Sequence, residues 1–391
     1  MAVFPFEDLS IQQGLGVFCR SFSSDLVTEL SKFRQFQVIS QPEFLNNKNS
    51  SDQLQTDYFI QGSFRYEKEI VRINVQLYNT QSRHLVWGNR LEGKLQELGE
   101  IQDNLLASVV GILQQQINLD LLSKIKKRPT VAFNAYELWL RGMEELKMGS
   151  LENDLAARSH FEKALEIQPD YSLAHSGMSL SYFNEWSCQL WERWDISKTG
   201  AYDWAQKALE LDDQNYIAAM VAGRIYLYEG SYDTAEFYFR KSLLQNPNDP
   251  DTLIQIAMSF VFLGLGNEAA ALYEKAIQLN PLNASYNYFN GAFIYFELGQ
   301  FEKAASLIKQ AKNVKVADAE AYNAAIYFHL QQFDKAQTHW SLFLDNYRRL
   351  ITKGKDFSFQ EAANWLMQIN PHRFSTNLEP FFQYISKGGF E

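Results

Sequence analysis

Cysteine is nearly absent: Cys19 and Cys188 are the only two in 391 residues. There is no disulfide framework, no CxxC pair and no Cys/His cluster at zinc-ligand spacing. A reducing, cytoplasmic setting is the expectation. No apolar run reaches the roughly 18 residues that a membrane span needs. Residues Met1–Asp8 lack a basic segment followed by a long apolar one, so no secretory signal is read there. Basic blocks are missing too, and the net charge is −10, so direct nucleic-acid binding by this chain is not expected. The six histidines (84, 160, 175, 329, 339, 372) are scattered. His329 and His339 are ten apart across a helix turn, and no metal site is expected. Phosphate-binding GxxxxGK[ST] and zinc-binding HExxH motifs are absent. Gly14-Leu-Gly16 and Gly264-Leu-Gly266 lack the third glycine and the strand-to-helix setting of a nucleotide loop. No catalytic residue and no cofactor is expected, and the chain reads as a non-enzyme.

Aromatic residues are plentiful, with 29 Phe, 20 Tyr and 8 Trp, so a large core can form. The second half repeats. Gly230-Ser-Tyr-Asp-Thr-Ala235, Gly264-Leu-Gly-Asn-Glu-Ala269 and Gly299-Gln-Phe-Glu-Lys-Ala304 recur 34 and 35 residues apart. Gln331-Gln-Phe-Asp-Lys-Ala336 is a fourth copy without its glycine. Seven residues after each alanine stand Ser242, Ala276, Ala311 and Phe343, of which Phe343 breaks the small-residue rule. Gly142, Ala157, Ala164 and Pro169 fit the same frame earlier. So do Gly177, Ala201 and Ala208, around a longer stretch holding Trp186, Trp191 and Trp194. Small residues let two helices approach closely, glycine supplies a left-handed cap, and proline stops the second helix. Each helix pair then buries its apolar face by stacking on the next.

This pattern resembles the tetratricopeptide repeat. Six units are expected, at about 135–169, 170–215, 216–249, 250–284, 285–316 and 317–347. Domain limits follow: 1–125, 131–347 for the repeats, and 348–391 as a C-terminal helical cap.

The first 125 residues have another period. Strands are expected at Ala2–Phe6, Phe36–Ser40, Tyr58–Tyr66, Val71–Tyr78 and His84–Leu91. In the fourth, Val71, Ile73, Val75 and Leu77 alternate with polar residues, giving one buried face. Helices are expected over 17–33, with Phe22, Leu26, Leu30 and Phe33 on one side, and over about 95–122. Residues 46–55 read as a polar loop and Lys124–Thr130 as a linker. The fold class is α+β: a small mixed sheet domain with helices, followed by an all-α tetratricopeptide-repeat solenoid. The segments Ala2–Ser10, Asp25–Ser31, Val38–Ser40, Tyr58–Arg65, Val71–Leu77 and His84–Trp87, in that order, resemble the TolB N-terminal-like domain. That domain precedes tetratricopeptide repeats in bacterial regulators, often behind a winged-helix DNA-binding domain or a class III adenylate cyclase domain. The ending, from Ile369-Asn-Pro-His-Arg-Phe374 to Gly388-Gly-Phe-Glu391, is similar to the tail of that family. The resemblance implies a sensory or protein-interaction module of a bacterial transcriptional regulator or cyclase-type signalling protein. A stand-alone scaffold or adaptor is the alternative.

In such repeats the first helix of each pair lines the inner face. That register points Tyr136, Trp139 and Met143 of the first unit inward, with Arg224 of the third and Met258 of the fourth. Tyr286, Phe289, Phe293 and Phe296 of the fifth, spaced 3, 4 and 3, share one helical face. These mostly apolar residues suit an apolar or aromatic peptide, a protein, or a small apolar effector. The same surface could instead be filled by the sheet domain or by the extended tail. Self-association stays open.

Overall fold

A computed structural model of the chain describes residues 1–10, 15–31, 38–40, 56–68, 70–94, 106, 109–121, 134–148, 150–187, 194–279, 285–311 and 316–389. The loop 46–55, the linker 124–130, Cys188 and Trp191 lie outside them. The chain divides into two compact units, Met1–Val131 with Gln278–Asn280, and Ala132–Ile277 with Pro281–Glu391.

The first unit is a mixed sheet with helices. Its strands are β1 (Ala2–Val3), β2 (Glu7–Asp8), β3 (Ile39–Ser40), β4 (Tyr58–Glu67), β5 (Ile70–Asn79) and β6 (Leu85–Lys94). The order is β3-β1-β4-β5-β6, with β2 also pairing β4. The hairpins β4–β5 and β5–β6 are antiparallel, whereas β1 and β2 run parallel to β4. Of the expected strand Ala2–Phe6 only Ala2–Val3 is strand, and a second short piece, β2, follows beyond it at Glu7–Asp8. Pro5 donates no N–H to the ladder, and the register slips by one residue between Ala2↔Phe59 and Glu7↔Ser63. Phe6 crosses β4 at Gly62, where a Cβ would lie 2.1 Å from its ring. Helix α1 (Gly16–Ser31) buries Cys19, Phe22, Leu26 and Leu30. Residues 109–121 form α2, which buries Val109, Val110, Leu113 and Ile117 in the same core. Phe6, Phe22 and Phe64 meet at its centre with ring separations of 5.3–5.7 Å. Burial pushes the Cys19 thiol up to about 11, which keeps it protonated and unreactive.

Among the described residues the second unit is an all-α solenoid with six helix pairs. They are α3 (Ala135–Leu146) with α4 (Leu151–Ile167), α5 (Ser172–Ser187) with α6 (Trp194–Leu211), and α7 (Tyr216–Tyr228) with α8 (Tyr232–Gln245). Next come α9 (Pro250–Phe262) with α10 (Gly266–Leu279), α11 (Ser285–Glu297) with α12 (Phe301–Ile308), and α13 (Ala319–His329) with α14 (Phe333–Leu350). Two more helices follow, α15 (Phe359–Ile369) and α16 (Leu378–Ile385). Starts are chemically marked. Asn134 and Glu137 close a capping box on α3, and Asp249 caps α9 ahead of Pro250. Ends are marked as well. Gly230, Gly264 and Gly299 have φ of +75°, +80° and +72°, and Gln331 takes the same left-handed shape at +57°. The following N–H of each turn returns to the helix six-to-one, as from Ser231 to the Tyr226 carbonyl and from Gln332 to that of Tyr327.

The small residues do what the spacing predicts. Cβ atoms at Gly142 and Gly177 would come within 2.3 and 2.6 Å of the Phe161 ring, so that one ring fills the joint between α3, α4 and α5. Ala157, Ala164, Ala201, Ala208, Ala235, Ala269 and Ala304 are fully buried. Phe343, the exception, is also buried. Past α14, α15 brings Trp365 against it, the two rings stacked at 6.3 Å. Trp186 is buried against Phe183 and Tyr228.

Candidate functional site

The predicted inward residues fall into two groups. On α3, Tyr136 stacks on buried Trp139 at 5.6 Å, and Met143 is half-buried. Burial with Asp249 and Tyr171 nearby raises the Tyr136 hydroxyl far above its ordinary range. Just past α3, Lys147 Nζ reaches Asp251 at 3.0 Å, in the first turn of α9, so the first repeat is tied to the fourth. Arg224 on α7 lies over the Phe183 ring at 4.3 Å. Met258 on α9 is half-buried. On α11, Phe289, Phe293 and Phe296 are all buried, and the side chain of Tyr286 lies outside the described residues. Phe293 meets Phe262 and Tyr322, and Phe296 meets Tyr322 and His329.

The C-terminal end of α11 is met by the chain's own C-terminal segment, whose His372 ring also reaches Phe293. Between α15 and α16, residues 369–378 run as an irregular strap past the ends of four first helices in turn. The Tyr228 hydroxyl, at the end of α7, donates to the Ile369 carbonyl at 2.7 Å. Arg373 N donates to the Phe262 carbonyl at the end of α9, at 2.8 Å. The His372 ring lies edge-on to Phe262 at 4.9 Å and tilted to Phe293 at 6.3 Å. At the end of α11, Thr376 Oγ1 and Asn377 N donate to the two oxygens of Glu297, at 2.6 and 3.2 Å. The Asn377 amide donates to the Phe296 carbonyl at 2.8 Å, satisfying a helix-end acceptor. His329 Nε2, at the end of α13, donates to the Asn377 carbonyl at 2.8 Å. Asn370 reaches the buried Asp318, before α13, at 3.2 Å.

The electrostatics at the centre of the strap are unusual. Burial pushes the Glu297 carboxyl up to about 7, helped by Glu379 and opposed by the bonds from Thr376 and Asn377. Burial pushes His372 down to about 4. The two groups stand 3.7 Å apart. Glu297 is the last residue of α11, where the helix dipole is also unfavourable to a negative charge.

Sequence reading passed over Tyr228, Phe262, Glu297 and His329. The signal was present. Tyr228, Phe262, Phe296 and His329 each lie five residues after the small residue of their repeat, Gly223, Ala257, Gly291 and Ala324. A ring therefore recurs at one frame position in four successive units, but only the Phe296 copy was placed on the inner face. Among the described residues no group of three His, Cys, Asp or Glu could hold a metal ion, and no helix is long and apolar enough to cross a membrane.

A tetratricopeptide repeat family model matches residues 218–249. A Rhizobium meliloti (strain 1021) protein described as "Putative adenylate cyclase 3" is 25% identical over 223 residues, which cover 54% of this chain and 37% of that protein. The chain thus spans little more than a third of that relative's length. Among solved structures, that of the functional characterization of Pseudomonas aeruginosa pilF is 17% identical, covers 59% of this chain and 96% of its own, and has a TM-score of 0.38. YrrB, described as a TPR protein with an unusual peptide-binding site, is 21% identical over 52% of this chain and 96% of its own, at 0.31. An IFIT1 monomeric mutant with Gppp-AAAA is 17% identical over 75% of this chain and 73% of its own, at 0.45. The chain carries tetratricopeptide repeats, a protein-interaction scaffold, and has distant similarity to a described adenylate cyclase.

Proposed function

We propose that this chain is a non-catalytic sensory and protein-interaction module of a bacterial signalling protein, of the adenylate cyclase or transcriptional-regulator type. The observation that carries the reading is the 223-residue similarity to a cyclase relative almost three times as long as the matched stretch. The output, nucleotide cyclisation or DNA binding, would then belong to another domain or another protein. The resemblance of the first unit to a TolB N-terminal-like domain supports the same placement. So does the solenoid, whose helix ends present hydrogen-bonding groups in a repeating row. A peptide, protein or small effector would shift the module between two arrangements for which it has different affinity.

Proximity labelling with the chain as bait in its own host tests this. The expected result is enrichment of a nucleotide cyclase or DNA-binding regulator over a bait with unfolded repeats. Formation of cyclic AMP from ATP by the purified chain alone, or labelling indistinguishable from the unfolded bait, overturns it.

A further inference from the structure

We infer that the row formed by Tyr228, the Phe262 carbonyl, Glu297 and His329 is a track for an extended peptide, and that residues 369–378 are its built-in occupant. The inference rests on the interaction-module reading and says where a partner segment goes and what it must displace.

Main-chain recognition is the first support. The solenoid bonds the strap at the Ile369 carbonyl, the Arg373 N–H, the Asn377 N–H and the Asn377 carbonyl. Bonds of that kind are open to any extended sequence, as in other modes that read a peptide backbone. Side chains are read at three places, of which the first is the Asn370 amide on the buried Asp318. The His372 ring enters between Phe262 and Phe293, and the Thr376-Asn377 pair meets Glu297 and the end of α11.

Glu297 is the second support. A buried carboxyl at a helix C-terminus costs stability, and both its oxygens are met by the strap. The fold gains nothing from an acid there unless a donor pair from an extended segment comes to it. The third support is the loose middle of the strap. Phe374 is 62% exposed over Gly264, and Arg373 pairs with a solvent-facing Asp233 at 3.1 Å. An exposed ion pair of this kind holds weakly. The occupant fitting the track is therefore an extended peptide with a ring and, four residues on, a hydroxyl residue followed by asparagine.

The test uses the full chain and a fluorescent peptide copying residues 366–380. The parent chain, its track loaded, is expected to show no saturable binding. The double variant Thr376→Ala/Asn377→Ala, its strap weakened and its track intact, is expected to bind at least tenfold more tightly than the parent. Adding Tyr228→Phe and His329→Ala is expected to abolish that gain, and a scrambled peptide is expected not to bind. A folded double variant that ignores the peptide, or one that binds it equally without Tyr228 and His329, overturns the inference. Should the double variant unfold, hydrogen exchange of the parent decides. The amides of Arg373 and Asn377 are expected to exchange at least tenfold faster than those inside α9 and α11. Exchange only at the rate of global unfolding would mean that the strap is never released. Peptide titration reads the track alone, so its failure leaves the labelling result on cyclase or regulator partners standing or falling by itself.

Discussion

At the scale of single residues, the buried pair Glu297 and His372 makes a signed prediction about pH. Folded Glu297 keeps its proton to about 7, against an ordinary 4.5, so unfolding releases a proton between those values and stability falls as pH rises. Folded His372 stays neutral down to about 4, against an ordinary 6.5, so unfolding takes up a proton there and stability rises with pH. The two slopes oppose each other from about 4.5 to 6.5 and cancel. Glu297→Gln is expected to expose the His372 slope, with stability rising relative to the parent across that range. His372→Gln is expected to expose the Glu297 slope, falling relative to the parent as pH rises. Each slope has a limit of about 1.4 kcal/mol per pH unit, read as the variant-minus-parent difference in urea unfolding. Gln331 makes a simpler prediction. It is a Cβ-bearing residue in the left-handed shape that glycine takes in three equivalent turns. Gln331→Gly is expected to stabilise by roughly 0.5–1 kcal/mol, seen as a raised urea midpoint.

At the scale of helices and strands, the contact of Phe161 with two glycines couples three helices through one ring. Gly142→Ala and Gly177→Ala are each expected to cost about 1–3 kcal/mol by overpacking. Together they are expected to cost less than their sum by at least about 0.5 kcal/mol, because the ring is displaced once for both. A double-mutant cycle from urea midpoints measures it. The same contact explains why the solenoid was legible in sequence. Close approach demands small residues at a fixed period, and helix ends demand glycine, so both leave marks at 34-residue spacing. Alternation made β5 legible for a similar reason, since Val71, Ile73, Val75 and Leu77 share one buried face. Other elements leave no such mark. Strand β2 is two residues long and depends on where Pro5 breaks the pairing. The strap has no period at all, and its partners lie 48 to 141 positions away in the chain. Phe343 looked like an error of the repeat because a pattern cannot say that the next neighbour is Trp365 rather than another hairpin. The inner-face residues of α11 were legible as one helical face. That the tail brings His372 to Phe293 was not, because two occupants, tail or sheet, were open and composition does not choose between them.

At the scale of the whole solenoid, an array of hairpins in which each touches only its neighbours loses its units gradually from the ends. Two ties described above are not between neighbours. Lys147 to Asp251 joins the first repeat to the fourth, and the strap joins the third through the sixth. Urea unfolding of the second unit is therefore expected to be one sharp transition, coincident by circular dichroism and by tryptophan fluorescence. In the Thr376→Ala/Asn377→Ala variant it is expected to broaden, with the two probes separating as the last repeats melt first. Coincident, equally steep curves in that variant would show that the stack holds together without the strap. Eight residues of irregular chain, 370–377, act here as a belt laced through successive buckles. Loosening it would do more than bare a surface: it would change the protein from an object that fails all at once into one that frays, and a partner able to slip into the belt's place would set its stiffness.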